Sequence, residues 1–310
     1  HYISRYKTRD QTTYFTNLDQ MGAQMAARIA FQGELGAYSH QACVETRPDF
    51  DPMPCPTFED ALEAVRSGAA DLGMIAVENS TYGRVQDVYH LLPRAGLHII
   101  DETFVRVHVN LLGLPGAQLK DITHAHGHPV ILPQCGKFLR EHSIKGMTSS
   151  DNARAARDVA SGGDKTQAAL ASELAASLYG LDVIAPEIED HKLNTTRFLV
   201  MSRDADHTRR SDKMVTAFMF RVRNIPAALY KAMGGFATNG VNMTKLESYM
   251  VDGVFTATQF YADIEGHPED ANVKLAMDEL GYFTEMVEIL GVYPADPRRS
   301  ENCTTSKNAP

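Results

Sequence analysis

The sequence predicts an α/β protein in two parts, a longer α/β region followed by a compact βαββαβ unit. Three observations carry this. Short apolar strands alternate with helical segments from Arg28 to Met201, a charged stretch interrupts them at Ser202–Asp212, and a different order of elements follows. Alternation of this kind builds largely parallel sheets with helices packed on them. At 310 residues the chain has room for two or three hydrophobic cores.

Arg28–Gln32 reads as a strand, followed by the glycine loop Gly33–Gly36 and a helix near Tyr38–Glu45. Phe58–Ser67 has helical apolar spacing at Phe58, Leu62 and Val65. Leu72–Val77 is a nearly continuous apolar run, as expected of a strand buried on both faces. The alternation continues through Val107–Leu112, Val130–His142, Asn152–Ala160, Gln167–Tyr179 and Phe198–Met201. Past the charged stretch, Lys213–Val222 alternates as a strand and Pro226 suits the first position of a helix. That helix runs to Asn239, with Gly240 suited to the position just past its end. Val241–Met250 and Val254–Ala262 read as strands joined by the hairpin pair Asp252-Gly253. A helix from about Pro268 to Leu280 and a strand from Phe283 to Val292 complete the order of the ferredoxin-like split motif. The open sheet of such a unit invites pairing, so a homodimer or homotetramer is expected. The expected domains are an extension at 1–27, an α/β region at 28–203, a linker at 204–212, the βαββαβ unit at 213–293 and a polar, disordered tail at 294–310.

Composition excludes several classes of function. Hydrophobic residues make up 44% and charged residues 22%, an ordinary globular balance. No apolar run approaches the roughly 18 residues that span a bilayer, so no membrane partner is expected. The formal charge is -9 and no Lys/Arg cluster stands out between residues 28 and 295, which argues against a nucleic-acid partner. Any anion site must therefore be local, built from backbone amides and one or two placed arginines. The cysteines Cys43, Cys55, Cys135 and Cys303 form no CxxC pair, so they read as free thiols in a reducing, cytoplasmic compartment. Residues 1–27 carry Arg5, Lys7 and Arg9 without an apolar core, unlike a secretory signal; a transit peptide is the other reading.

Four segments put polar groups where α/β sites usually lie, at strand ends and helix starts. In Gly33-x-x-Gly36-Ala37-Tyr38-Ser39 the glycines let backbone amides approach a ligand and Ser39 can cap the following helix. The same residues also fit a plain β–α turn. Val77-Glu78-Asn79-Ser80, with Gly83 following, ends a buried strand in three polar residues. Asn79 and Ser80 offer neutral donors and Glu78 an acid, although a simple Ser/Asn turn fits too. In Asp190–Phe198, Arg197 precedes an apolar strand and can reach the sheet rim, where a guanidinium grips a carboxylate in a fork. Thr195 and Thr196 supply hydroxyls beside it, and the alternative is a surface Arg among β-favouring threonines. The run His124-Ala-His-Gly-His128-Pro129 would share a face if extended, but nothing nearby completes a metal ligand set. Pro129 fits a helix start, and His128 is expected to contact neighbouring backbone. No metal and no organic cofactor is expected.

Taken in order, Gly33-Glu-Leu-Gly-Ala-Tyr-Ser39, Val77-Glu-Asn-Ser-Thr-Tyr-Gly83, His128-Pro129 with Gln134-Cys135, Ala171-Ser-Glu-Leu-Ala175 and Asn194-Thr-Thr-Arg-Phe198 resemble the motif series of prephenate dehydratase. Ala227-Ala-Leu-Tyr-Lys231 and Asn242-Met-Thr-Lys-Leu-Glu-Ser248 resemble that family's ACT regulatory domain. The resemblance covers about residues 28–293 and is to the monofunctional form, with no chorismate mutase segment ahead of Arg28. It implies a two-lobed, periplasmic-binding-protein-like catalytic domain plus a ferredoxin-like ACT domain. The implied reaction converts prephenate to phenylpyruvate with loss of carbon dioxide and water. Aromatisation drives it, so no cofactor is needed. Thr196 would contact the leaving hydroxyl and Arg197 would help hold the substrate, with Glu78 a competing general acid. The implied substrate-binding set is Ala37, Tyr38, Ser39, Asn79, Ser80, Gly83, Asn152, Asn194 and Phe198. L-phenylalanine is the implied effector, at Asn224, Ala227, Ala228, Leu229, Asn242, Glu247 and Ser248.

Two departures from the family pattern stand out. Asp151-Asn152-Ala153 replaces Ser/Asp-Thr-Ala, where Asn can still cap a helix or bind an anion. Ala227-Ala228-Leu229 and Glu247-Ser248-Tyr249-Met250 replace Gly-Ala-Leu and Glu-Ser-Arg-Pro, which adds a Cβ and removes a charge at the effector site. An arogenate dehydratase and a non-catalytic amino-acid sensor are the rival readings.

Overall fold

The computed structural model describes residues 26–250 and 257–299 of the chain. The Asp252-Gly253 turn, most of the N-terminal extension and the expected tail beyond Arg299 lie outside the described residues. The start of that tail is ordered, contrary to expectation, with Pro294 ending a strand and Arg298 and Arg299 bonded to Thr103 and Glu102. In chain order the strands are β1 (Arg28–Gln32), β2 (Asp51–Cys55), β3 (Leu72–Asn79), β4 (Gly83–Arg84), β5 (His98–Arg106), β6 (Asn110–Gly113), β7 (His124–Gly127), β8 (Lys145–Thr148), β9 (Gln167–Ala171), β10 (Asp182–Ala185), β11 (Thr195–Ser202), β12 (Met214–Val222), β13 (Met243–Met250), β14 (Ala257–Glu265) and β15 (Thr284–Pro294). The helices are α1 (Tyr38–Thr46), α2 (Phe58–Arg66), α3 (Gln86–Leu91), α4 (Gly136–Glu141), α5 (Asn152–Gly162), α6 (Glu173–Tyr179), α7 (Ala228–Thr238) and α8 (Ala271–Phe283).

Two compact units divide these elements. The first gathers the described residues up to Thr57, Glu78–Arg84 and Val105–Thr196; the second gathers Phe58–Val77, Val85–Phe104 and the described residues from Arg197 onward.

In the first unit β1 and β2 pair in parallel. A five-stranded sheet runs β10-β6-β9-β7-β8, parallel across β9-β7-β8 and antiparallel across β10-β6-β9. Ala168–Ala171 of β9 are buried on both faces of this sheet, which is why that segment reads as a continuous apolar run. One face packs Leu112, Ala169 and Ala171 against Ala155, Ala156 and Ala175, small residues that let α5 and α6 lie close. The other face packs Leu111, Ala125 and Leu170 against Leu139 and Ile144.

In the second unit the strands run β13-β14-β12-β15-β5-β11-β3. The first four are antiparallel and pack on α7 and α8 through Phe218, Phe220, Phe236, Ile264, Val273 and Leu280, which is the ferredoxin-like βαββαβ arrangement. Helix α2 forms as its spacing predicts, burying Ala61, Leu62, Ala64 and Val65 with Glu59 and Asp60 in its first turn and Arg66 in its last. The charged stretch after β11 is tied down by its arginines. Arg203 donates to the carbonyls of Val65 and Ala70, and Arg209 to that of Ile100.

Local expectations are corrected at three helix starts. Ser39 does not cap α1; Ala37 holds the cap position without a side-chain bond and Ser39 falls in the first turn. Pro129 does not start a helix, because β7 ends at Gly127 and a 3-10 turn over Leu132–Cys135, with Pro133 in it, precedes α4. Pro226 precedes α7 by two residues, and Ala227 takes the cap position in the left-handed region at φ 60°. Strand β5 escaped the sequence reading because the buried Glu102 and Thr103 interrupt its apolar pattern.

Strand β15 meets β5 in parallel at Gly291 opposite Ile99. A Cβ at Gly291 would fall on the Ile99 carbonyl, well inside van der Waals contact, and backbone cannot yield as a flexible side chain can. Gly291→Ala is therefore expected to destabilise the protein by about 3 kcal/mol. Urea unfolding checks this, through a lowered midpoint at unchanged slope.

Candidate functional site

Four side chains of the first unit form a hydrogen-bonded chain that ends on Thr196. The Gln134 Nε2 donates to the Val130 carbonyl at 2.9 Å, and the Gln134 Oε1 accepts from the Asn194 Nδ2. The Asn194 Oδ1 accepts from the Asn79 Nδ2 at 2.7 Å, and the same Asn79 nitrogen donates to the Thr196 Oγ1 at 3.0 Å. The Asn79 Oδ1 accepts from the backbone amides of Thr81 and Tyr82, both at 3.0 Å. A carboxamide nitrogen carries two protons, so Asn79 spends one on Asn194 and one on Thr196. The Thr196 oxygen thereby accepts, and its own proton stays available to a further acceptor. Ser80 fixes the same region. Its hydroxyl donates to the Leu193 carbonyl at 2.8 Å and accepts from the Thr195 amide at 3.0 Å. Asn194, Thr195 and Thr196 are all buried.

The glycine loop is held from several sides. The Gly36 amide donates to the His40 Nδ1 at 2.9 Å, and the Ser172 hydroxyl donates to the Gly36 carbonyl at 2.7 Å. Gly36 sits at φ 96°, and a Cβ there would press on Ala175 at the start of α6. The Tyr38 hydroxyl donates to the His108 carbonyl at 2.9 Å, and burial, Cys135, Glu189 and Asp151 raise its pKa well above the ordinary value. Asp151, not Asn152, caps α5 by accepting from the amides of Ala153 and Arg154. Asn152 is buried and accepts from the His128 amide at 2.8 Å, while the His128 Nδ1 accepts from the Val130 amide as expected of a loop histidine.

Arg197 lies away from the rim where its spacing put it. It is 5% exposed because β11 is buried from Thr195 to Met201. Its guanidinium donates to Glu102 at 2.8 Å and to the Tyr293 hydroxyl at 3.0 Å, and pairs with Asp263 at 2.8 Å. Arg299 joins from the side, donating to both oxygens of Glu102. Burial lowers the pKa of Arg197, but Asp263, Tyr293, Tyr261 and Glu102 outweigh it and hold the group charged. Phe198 is fully buried.

Glu78 stands opposite Arg84 in the short β3–β4 pairing, and Gly83 is exposed at φ 82°. Of the expected effector residues, Asn224 and Ala227 are exposed before α7, Ala228 is buried, and Leu229 packs on the ferredoxin-like core. Asn242 donates to Glu265, Lys245 to Glu247, and Ser248 is exposed on β13. The sequence reading missed Gln134 and Ser172 as site residues, although both lie in quoted motifs. It also missed Glu102 and Asp263, which no local pattern marks.

The sequence pattern of the family described as prephenate dehydratase matches residues 29–206. The chain belongs to the prephenate dehydratase family. It is 49% identical over 272 residues to a bifunctional N-acyl-homoserine lactone acylase/prephenate dehydratase of Komagataeibacter europaeus, covering 87% of this chain and 97% of that one. It is 35% identical to arogenate dehydratase/prephenate dehydratase 1 of Arabidopsis thaliana, covering 89% of this chain and 74% of that one. The crystal structure of prephenate dehydratase from Arthrobacter aurescens in complex with L-Phe superposes with a TM-score of 0.80 at 28% identity, covering 91% and 97% of the two chains. Within this prephenate dehydratase fold, the glycine loop, the end of β3 and the start of β11 all fall in the first unit.

His40, which anchors the glycine loop, is stacked on Phe31, and burial lowers its pKa to about 4. In the unfolded chain it protonates near 6.5, so between these values the unfolded state binds more protons. Above about pH 6.5 this group leaves stability unchanged. As pH falls from there toward 4 it removes roughly 3 kcal/mol. His40→Asn, whose carbonyl can still accept from Gly36, is expected to blunt that acid-side loss. Urea unfolding at pH 7.5, 5.5 and 4.5 checks it, and parallel losses in both proteins would reject the assignment.

Proposed function

We propose that this chain catalyses the decarboxylative dehydration of prephenate to phenylpyruvate, with Thr196 as the hydrogen-bond donor to the departing hydroxyl. The observation that carries this reading is the 3.0 Å bond from the Asn79 amide into the Thr196 oxygen, which makes that oxygen an acceptor and leaves its own proton to be donated elsewhere. Loss of carbon dioxide supplies the electron pair that forms the new ring double bond and expels the ring oxygen as hydroxide, which takes a proton from solvent to become water. A threonine hydroxyl is too weak an acid to ionise near pH 7. It therefore stabilises the leaving oxygen by donating rather than by titrating, with Glu78 the competing proton source. Ala37, Tyr38 and Ser39 of the glycine loop, together with Asn79, Ser80, Gly83, Asn152 and Asn194, are the groups proposed to surround the substrate. Arg197 enters this reading as the residue that holds β11, since Glu102, Asp263 and Tyr293 already occupy its guanidinium.

Residues 28–203 form the proposed catalytic domain and 213–293 the proposed ACT domain. L-phenylalanine is its proposed inhibitor, supported by the complex of the Arthrobacter aurescens relative. Among the described residues strand β13 ends its sheet and supplies an edge through which a homodimer can form. The bifunctional relative favours one further reading, N-acyl-homoserine lactone acylase activity in the same chain.

Thr196→Ala is expected to lower kcat by about 10²–10³, or 3–4 kcal/mol, while Thr196→Ser keeps most of it. The assay follows phenylpyruvate from prephenate, with arogenate and an acyl-homoserine lactone as parallel substrates. Wild-type kcat in the alanine variant sinks the assignment of Thr196, and turnover of arogenate alone moves the substrate. In the effector region, Ala227→Gly relieves a left-handed residue that costs about 1–2 kcal/mol. The variant is expected to respond to L-phenylalanine at lower concentration than the parent. Activity unchanged at saturating phenylalanine in both proteins removes the regulatory proposal.

A further inference from the structure

Within the first unit, outside the residues assigned to dehydration, His108, Glu187 and Glu189 converge. The His108 Nδ1 stands 3.5 Å from the Glu187 Oε1 and 3.6 Å from the Glu189 Oε1. One ligand atom from each of the three lies within 4.8 Å of the others. The chain holds them firmly. The Ile188 amide donates to the Val109 carbonyl at 2.8 Å, the Glu187 amide to the Asn110 Oδ1 at 3.1 Å, and the Val109 amide to the Glu189 Oε2 at 3.0 Å.

Glu189 is 4% exposed, so its carboxylate has left water. One of its oxygens is satisfied by Val109, yet its Oε1 has no hydrogen-bond partner among the described residues, and neither has the His108 Nδ1. A buried carboxylate oxygen left in that state is costly unless a charge faces it. A protonated imidazole would be one answer, but charge-assisted hydrogen bonds close to about 2.7–2.9 Å, and these separations are wider. Two ligands bound tetrahedrally at about 2.0–2.1 Å from one ion stand roughly 3.3–3.4 Å apart. The two separations from His108, 3.5 and 3.6 Å, lie close to that spacing, and the third pair stands within 4.8 Å.

We propose that His108, Glu187 and Glu189 bind a divalent transition cation of the Zn²⁺ or Mn²⁺ class. One neutral imidazole and two carboxylates carry a charge of -2, which such an ion neutralises, and the mixed nitrogen and oxygen set suits it better than Ca²⁺ or Mg²⁺. His108 and Glu187 also line a cavity of about 870 Å³ with Asn110, Glu45 and Tyr179. Three protein ligands beside an open cavity leave the ion a position for an exchangeable water. The cluster is separate from the His124–His128 run, where His126 is occupied by Gln167.

The test is calorimetric titration of the chelator-treated full chain with ZnCl₂ and with MnCl₂, alongside thermal unfolding with and without each metal. One saturable equivalent and a raised Tm are expected for at least one of the two ions. Glu189→Gln and the half-exposed Glu187→Gln are each expected to weaken binding at least tenfold and to abolish the Tm rise. His126→Ala is expected to leave both readouts unchanged. If Glu189→Gln does not fold, Glu187→Gln carries the test alone. Absence of a saturable equivalent for both ions overturns the proposal, and so does a Kd that Glu187→Gln changes less than twofold.

Discussion

A guanidinium removed from water survives only if carboxylates and hydroxyls replace its hydration, and Arg197 is surrounded in that way. Glu102 comes from β5, Asp263 from β14 and Tyr293 from β15, so one side chain of β11 gathers three other strands of the second unit. Arg299 balances the charge, leaving two guanidinium groups against two carboxylates. The Asp263 carboxylate also accepts from the Tyr261 hydroxyl at 2.6 Å, and burial followed by Asp263 raises the pKa of that phenol well above its ordinary range. Such a cluster adds little net stability over an apolar core, but losing one member strands a buried charge at a cost of about 3–5 kcal/mol. Strand order around β11 is thus specified by charge as well as by apolar packing.

Thr196 and Arg197 are neighbours on one strand, and successive side chains on a strand face opposite ways. One serves the neutral hydrogen-bonded chain with Asn79 and Asn194; the other serves the charged cluster. The division suits the chemistry of the family to which the chain belongs. In the proposed role of Thr196, a neutral donor stays unchanged across the physiological pH range.

Much of this was legible in the sequence. The alternation of apolar strands and helices, the βαββαβ order and the polar ends of β3 and β11 were all visible as local patterns. Gln134 and Ser172 sat inside recognisable segments, yet their partners, Asn194 and Gly36, are distant in the chain, so their roles were not readable. The environment of Arg197 was hidden for the same reason. Its partner Glu102 lies 95 residues away, and spacing alone favoured an exposed rim over a buried ion cluster. Helix starts were read too early at Pro129 and Pro226, because proline marks a turn as readily as a first helical residue.

The carboxamides that lead to Thr196 have a direction. An amide side chain offers oxygen on one side and nitrogen on the other, so each member of the row forces the orientation of the next. A reversed member would set carbonyl against carbonyl. The Val130 carbonyl holds the nitrogen end of Gln134, and the Thr81 and Tyr82 amides hold the oxygen end of Asn79. Backbone groups cannot swap donor for acceptor, so the sense of the whole row is set at both of its ends. The polarity presented at Thr196 is written into the main chain.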